Sequence, residues 1–145
     1  MKTLFCVLNW GLGHASRSSV LIQRLIQEGH DVTIASDGVA LTHLKKRFPD
    51  HSFLELPAYN VRYASSSMTI NMTFQARKIL RAIEDEHRVV SAFCEDHNIE
   101  QIISDNRYGC YHHDLPSHFL SHQLRPIVPT SKFFARWFYK KLDHY

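Results

Sequence analysis

Two glycines and a histidine, Gly11-Leu12-Gly13-His14, follow the first apolar run of the chain and carry its strongest chemical signal. Glycines let a backbone come close to a bound group, and a helix starting there turns unpaired N–H donors toward an anion. His14 falls in the first turn of that helix, where the positive helix end favours a neutral, proton-accepting imidazole. A base of this kind needs an orienting partner, and Asp105, just after a later strand, is the candidate. A carboxylate on one ring nitrogen fixes the tautomer and stabilises the imidazolium formed when the other nitrogen takes a proton. The plainer role for Asp105 is to cap the next helix.

Other readings of the same residues stay open. As a dinucleotide fingerprint, the third glycine of the motif falls at Ser16, and Asp37 stands where the ribose-binding acid belongs. A glycine turn that only tightens strand-to-helix packing is the bland reading. His112, His113, Asp114, His118 and His122 invite a metal, but they match no established ligand spacing. His118 and His122 on one strand lie about 13 Å apart, too far to share an ion. No metal is expected.

The elements that must position these residues alternate in type. Residues 3–9, 31–36, 52–56, 101–104 and 117–121 read as short buried strands. Helices are expected from the glycine turn to about Glu28, from Val39 to Arg47, from Asn71 to His97 and from Ser131 to Tyr145, with a short one over Arg107–His113. Ile79, Ile83, Val90 and Phe93 mark the buried stripe of the long helix. Residues 57–70 are a polar and aromatic loop. This order implies an α/β fold, a Rossmann-like doubly wound parallel sheet of order 3-2-1-4-5 with helices on both faces. Ligands of such sheets sit beyond the carboxyl ends of the strands. His14, Arg17, Asp37, Arg62, Asp105, Asn106, Arg107, His122 and Gln123 all fall in loops at that edge.

Composition narrows the class. The 145 residues are 44% hydrophobic and 21% charged, which suits one globular domain and no disordered or linker-dominated chain. No apolar run reaches the roughly 18 residues of a membrane span. Residues 1–130 carry equal numbers of acidic and basic side chains, so the net +3 comes from Lys132, Arg136, Lys140 and Lys141 against Asp143. A basic face spread over the fold is missing, so nucleic acid is not an expected partner. Three scattered cysteines fit neither a disulfide framework nor a zinc motif and suit a reducing, cytoplasmic location. The aromatic and basic residues of 131–145 read as core against the sheet or another domain, with a peripheral membrane contact as the alternative.

VLNWGLGHASRSSVLIQRL at 7–25, followed by HDVTIASDG at 30–38, resembles the opening of the N-terminal domain of a GT-B glycosyltransferase. The likeness is to the branch of the peptidoglycan GlcNAc transferase and of related uncharacterised bacterial transferases, which ISDNRYG at 103–109 also resembles. The resemblance covers essentially all 145 residues. It implies the acceptor-side half of an inverting enzyme, with no cofactor, that moves a sugar from a nucleotide-sugar donor to a hydroxyl of a glycan, lipid-linked or small-molecule acceptor. His14 is then the catalytic base and Asp105 its partner. Gly11, Leu12, Gly13 and Arg17 lie near the donor diphosphate. Tyr59, Arg62, Tyr63, Asn106, Arg107, His122 and Gln123 lie on the acceptor side. The family's C-terminal nucleotide-sugar domain is not among these residues, so the chain alone is expected to be inactive and to self-associate. A dinucleotide-binding domain of an oxidoreductase and a non-catalytic nucleotide- or sugar-binding module are the alternatives.

Overall fold

The computed structural model describes residues 1–59 and 68–121, the side chains of 68–76 excepted. The elements in chain order are β1 (Lys2–Val7), α1 (Leu12–Gln27), β2 (Asp31–Ser36), α2 (Gly38–Arg47), β3 (Ser52–Glu55), α3 (Met68–His97), β4 (Gln101–Asp105) and β5 (Ser117–Leu120). Alternation along β1 explains the layering. Phe5 and Val7 point to one face, where Ala15 and Ile22 of α1 and Ala40 and Leu44 of α2 cover them. Leu4 and Cys6 point to the other, against Val90 and Cys94 of α3. The sheet is parallel throughout, in the order β3-β2-β1-β4-β5, with helices on both faces as the alternation of elements implies.

Several boundaries differ from those the sequence suggests. α3 begins at Met68 rather than Asn71, and β4 continues through Asp105, so that residue ends the strand instead of opening the loop. The short helix expected over Arg107–His113 does not form. Ser104 Oγ instead ties both ends of a tight turn, accepting from Arg107 N at 3.1 Å and donating to Arg107 O at 2.7 Å. Asn106 sits inside that turn at φ 58°, a left-handed conformation that Asn tolerates better than most residues. The expected helix over 131–145 lies outside the described residues.

Arg107 is the reason for the turn. Its guanidinium lies inside the molecule and reaches five groups from four parts of the chain. Nε and Nη1 make short ion pairs with Glu86 of α3 and Asp37 at the start of α2. Nη1 also lies 3.4 Å from the Val7 carbonyl and Nη2 donates to the Pro57 carbonyl at 2.8 Å. The carbon between them stands 5.0 Å from the centre of the Tyr59 ring. Glu86, itself fully buried, accepts further bonds from the Tyr59 hydroxyl at 2.6 Å and Gly109 N at 2.9 Å. Burial alone would favour the neutral guanidine; the Glu86 charge, with Asp37 also bonded, outweighs it and keeps Arg107 charged. Gly109 has no room for a side chain, since a Cβ there would stand 2.4 Å from the Ile83 carbonyl.

The three cysteines, Cys6, Cys94 and Cys110, are free and buried in the cluster under α3. Burial pushes the Cys94 thiol up to about 12 and raises that of Cys110 as well, which leaves both protonated and unreactive near neutral pH. They act as small apolar side chains.

Removing the Arg107 charge strands two carboxylates in the interior. Breaking a buried pair in this way costs about 3–5 kcal/mol. Arg107→Met is therefore expected to lower the urea-unfolding free energy by about that amount, while Arg88→Met, on the exposed face of α3, changes it by less than about 0.5 kcal/mol.

Candidate active site at the carboxyl rim of the sheet

Strand pairing builds the site. Val7 and Asp105 are register partners at the last residues of β1 and β4, and Leu8 N donates to the Asp105 carbonyl at 3.1 Å. α1 leaves β1 through Gly11, whose φ of 77° is one that side-chain-bearing residues rarely adopt. The reversal lays the first turns of α1 directly over Asp105. His14, Arg17 and Ser18 are three and four residues apart, so they share the face that looks onto this carboxylate.

Asp105 is about 1% exposed and accepts from four side chains. His14 Nδ1 lies 3.2 Å from both of its oxygens. Arg17 Nη2 makes a short ion pair with Oδ1, Ser18 Oγ donates to Oδ2 at 2.7 Å, and Asn106 Nδ2 donates to Oδ1 at 3.3 Å. Arg17 Nη2 also stands 3.2 Å from His14 Nδ1. Nδ1 thus faces an acceptor in Asp105 and a donor in Arg17; because Arg17 Nη2 already donates to Oδ1, the proton of the neutral imidazole is assigned to Nδ1, facing Asp105. Nε2 then carries the lone pair. The His14 side chain is partly exposed at 17%, and Arg17 is half-exposed.

Asp105 and His14, far apart in sequence, thus meet as their residue types suggest, and Asp105 serves the imidazole rather than a following helix. Arg17 belongs to the same cluster. Gly11 and Leu12 form the exposed approach to α1. Gly13 has an ordinary φ and nothing within 4 Å of where a Cβ would stand, so neither backbone nor packing demands a glycine there. Other expected residues sit elsewhere. Arg107 and Tyr59 are buried in the interior network and present no surface to an acceptor, because only there does Glu86 find its partners. Asn106 spends its amide on Asp105. Arg62, Tyr63, His122 and Gln123 lie outside the described residues.

Three participants escape the sequence reading. Ser18 carried a signal in its four-residue spacing from His14. Glu86 carried one too, since a carboxylate at 86 falls on the apolar stripe of Ile83 and Val90 and must find a buried partner. Asn9 carried none. Its side chain donates to Asp37 at 3.1 Å and accepts from Ala40 N at 3.1 Å, which ties the turn after β1 to the start of α2. Among the described residues no three His, Cys, Asp or Glu side chains converge as metal ligands would, and no helix is long and apolar enough to cross a membrane.

The fold has counterparts among known proteins. Solved structures of similar fold include the calicheamicin glycosyltransferase CalG4, at 15% identity and a TM-score of 0.63 over 97% of this chain and 37% of that one. Another is the Streptomyces sp. SF2575 glycosyltransferase SsfS6, at 14% identity and a TM-score of 0.50 over 76% of this chain and 34% of that one. UGT2 of Phytolacca americana follows at 13% identity and a TM-score of 0.51, over 76% and 25%. The chain therefore spans 25 to 37% of the length of these three structures. No curated protein matches it. The model of glycosyl transferase family 1 matches residues 1–123. A match over that much of its length means that the chain belongs to glycosyl transferase family 1, with the Rossmann-like fold of the N-terminal domain of a GT-B enzyme.

Proposed function

We propose that this chain forms the acceptor side of an inverting glycosyltransferase in which His14 is the general base. One observation carries the reading: a partly exposed imidazole at the rim has one nitrogen turned onto a buried carboxylate and the other left to accept a proton. The acceptor hydroxyl gives its proton to Nε2 as its oxygen attacks the anomeric carbon of a nucleotide sugar. The nucleotide diphosphate leaves from the opposite face, which inverts the centre. Asp105 stabilises the imidazolium formed in that step, and Ser18 and Asn106 hold the carboxylate in place. The open space over Gly13 and the N–H groups at the start of α1 suit the leaving diphosphate, whose growing charge they would offset. In this reading a second domain holds most of the donor.

Membership of a glycosyltransferase family and the fold shared with named glycosyltransferases support this reading over a nicotinamide-dependent one. So does Asp37. A ribose-binding acid needs a free carboxylate at the end of the second strand, and Asp37 has given one oxygen to Arg107 and the other to Asn9. The chain should accordingly bind NAD(H) or NADP(H) no more tightly than about millimolar, as a fingerprint without its third glycine implies. Micromolar binding by calorimetry would restore the oxidoreductase reading.

Two substitutions test the chemistry in a transfer assay with a panel of nucleotide sugars, on the polypeptide that joins this domain to its donor-binding partner. His14→Ala should lower turnover by about 10²–10⁴-fold, the usual worth of a general base, with little change in unfolding free energy. Turnover close to that of the unaltered protein removes His14 from the mechanism. Gly13→Ala should raise stability by up to about 1 kcal/mol, since alanine is the better helix former and space is free. It should nonetheless slow transfer, because the new methyl group stands where the ligand is expected. Full activity in that variant would move the donor away from this turn.

A further inference from the structure

Asp105 has two rivals for one charge. Arg17 holds the shorter contact with its Oδ1, and His14 Nδ1 lies equidistant from both oxygens at 3.2 Å rather than aimed at one of them. The guanidinium of Arg17 is also 3.2 Å from that same ring nitrogen. Among the described residues the charged groups facing the imidazole are Asp105, from β4, and Arg17, from the helix that carries His14. Ser18 and Asn106, which complete the shell of the carboxylate, are uncharged.

A carboxylate alone beside an imidazole would favour its protonation, and a resting imidazolium has no lone pair with which to act as a base. Arg17 opposes this in two ways. It neutralises much of the Asp105 charge, and it places a positive charge next to the nitrogen on which an imidazolium would bear its own. We propose that Arg17 is a positioning residue that keeps His14 unprotonated at rest, so that the Asp105 contact fixes the tautomer without trapping the proton. Half of the Arg17 side chain is in solvent, so the strength of this opposition can be altered without disturbing the core. The inference rests on the reading of His14 as a base, and its test does not need turnover.

The measurement follows the ring-proton NMR signals of His14 against pH in the 145-residue chain, in Arg17→Gln and in Arg17→Lys. Glutamine keeps a hydrogen-bond donor for Asp105 but loses the charge, whereas lysine keeps the charge and changes the shape. Arg17→Gln is expected to move the midpoint of His14 protonation upward, because a positive charge beside the ring is lost. Arg17→Lys is expected to stay close to the unaltered chain. A midpoint in Arg17→Gln that stays put or falls overturns the proposal, as does Arg17→Lys behaving like Arg17→Gln, which would mean that shape and not charge matters. In the two-domain enzyme the acid limb of the rate profile should move with the NMR midpoint. An unmoved titration removes the role of Arg17 and leaves the base in place. Undiminished transfer by His14→Ala removes the base and leaves the titration contrast standing.

Discussion

A guanidinium sealed inside a protein of this size dictates what surrounds it. Arg107 brings five N–H donors and a permanent charge into the interior, and leaving either unmet is among the costliest defects a fold can carry. Glu86 and Asp37 answer the charge, and the Pro57 and Val7 carbonyls take most of the remaining donors. These partners come from α3, the start of α2, the exit of β3 and the end of β1. One side chain therefore holds the carboxyl-edge loops in register with each other. A parallel sheet by itself fixes only its strands and leaves such loops free to vary.

The site stands two residues from this hub and inverts its logic. At Arg107 a buried cation is enclosed by acceptors; at Asp105 a buried anion is enclosed by donors. The Ser104 turn joins them, so the residue that ends β4 points toward α1 while the next but one points under α3. Among the described residues only the Asp105 side opens to solvent, through His14 and Arg17. The proposed proton transfer needs that opening, because a base sealed from its substrate is merely structural.

The same contrast sorts the polar residues at the rim. Arg107 and Tyr59 have the chemistry to bind a sugar or phosphate, yet their polar atoms are consumed within the protein. Asp37 has the chemistry of a ribose ligand and is consumed likewise. His14 keeps one nitrogen uncommitted, and Gly13 keeps open space that packing has not claimed. A residue available to a ligand is one that the fold has left incomplete. That distinction separates the two groups better than residue type does.

Much of this was legible in the residues alone. Short apolar runs alternating with helical periods determine a parallel, doubly wound sheet, because strands buried on both faces need crossover helices to cover them. Gly11 marks the turn, and the strand order inferred from that architecture already sets His14 beside Asp105. The three- and four-residue spacing of His14, Arg17 and Ser18 is enough to place all of them on one face of α1. What the chain could not reveal was which polar side chains turn inward. Arg107 beside Asn106 reads as a solvent-facing loop residue, and only the position of Glu86 on the buried stripe of α3 draws it under the sheet. The lost helix after β4 and the burial of Tyr59 follow from that one pairing. Periodicity is a local property that sequence records directly, whereas a buried ion pair joins residues remote in the chain, and only tertiary structure decides which of them meet.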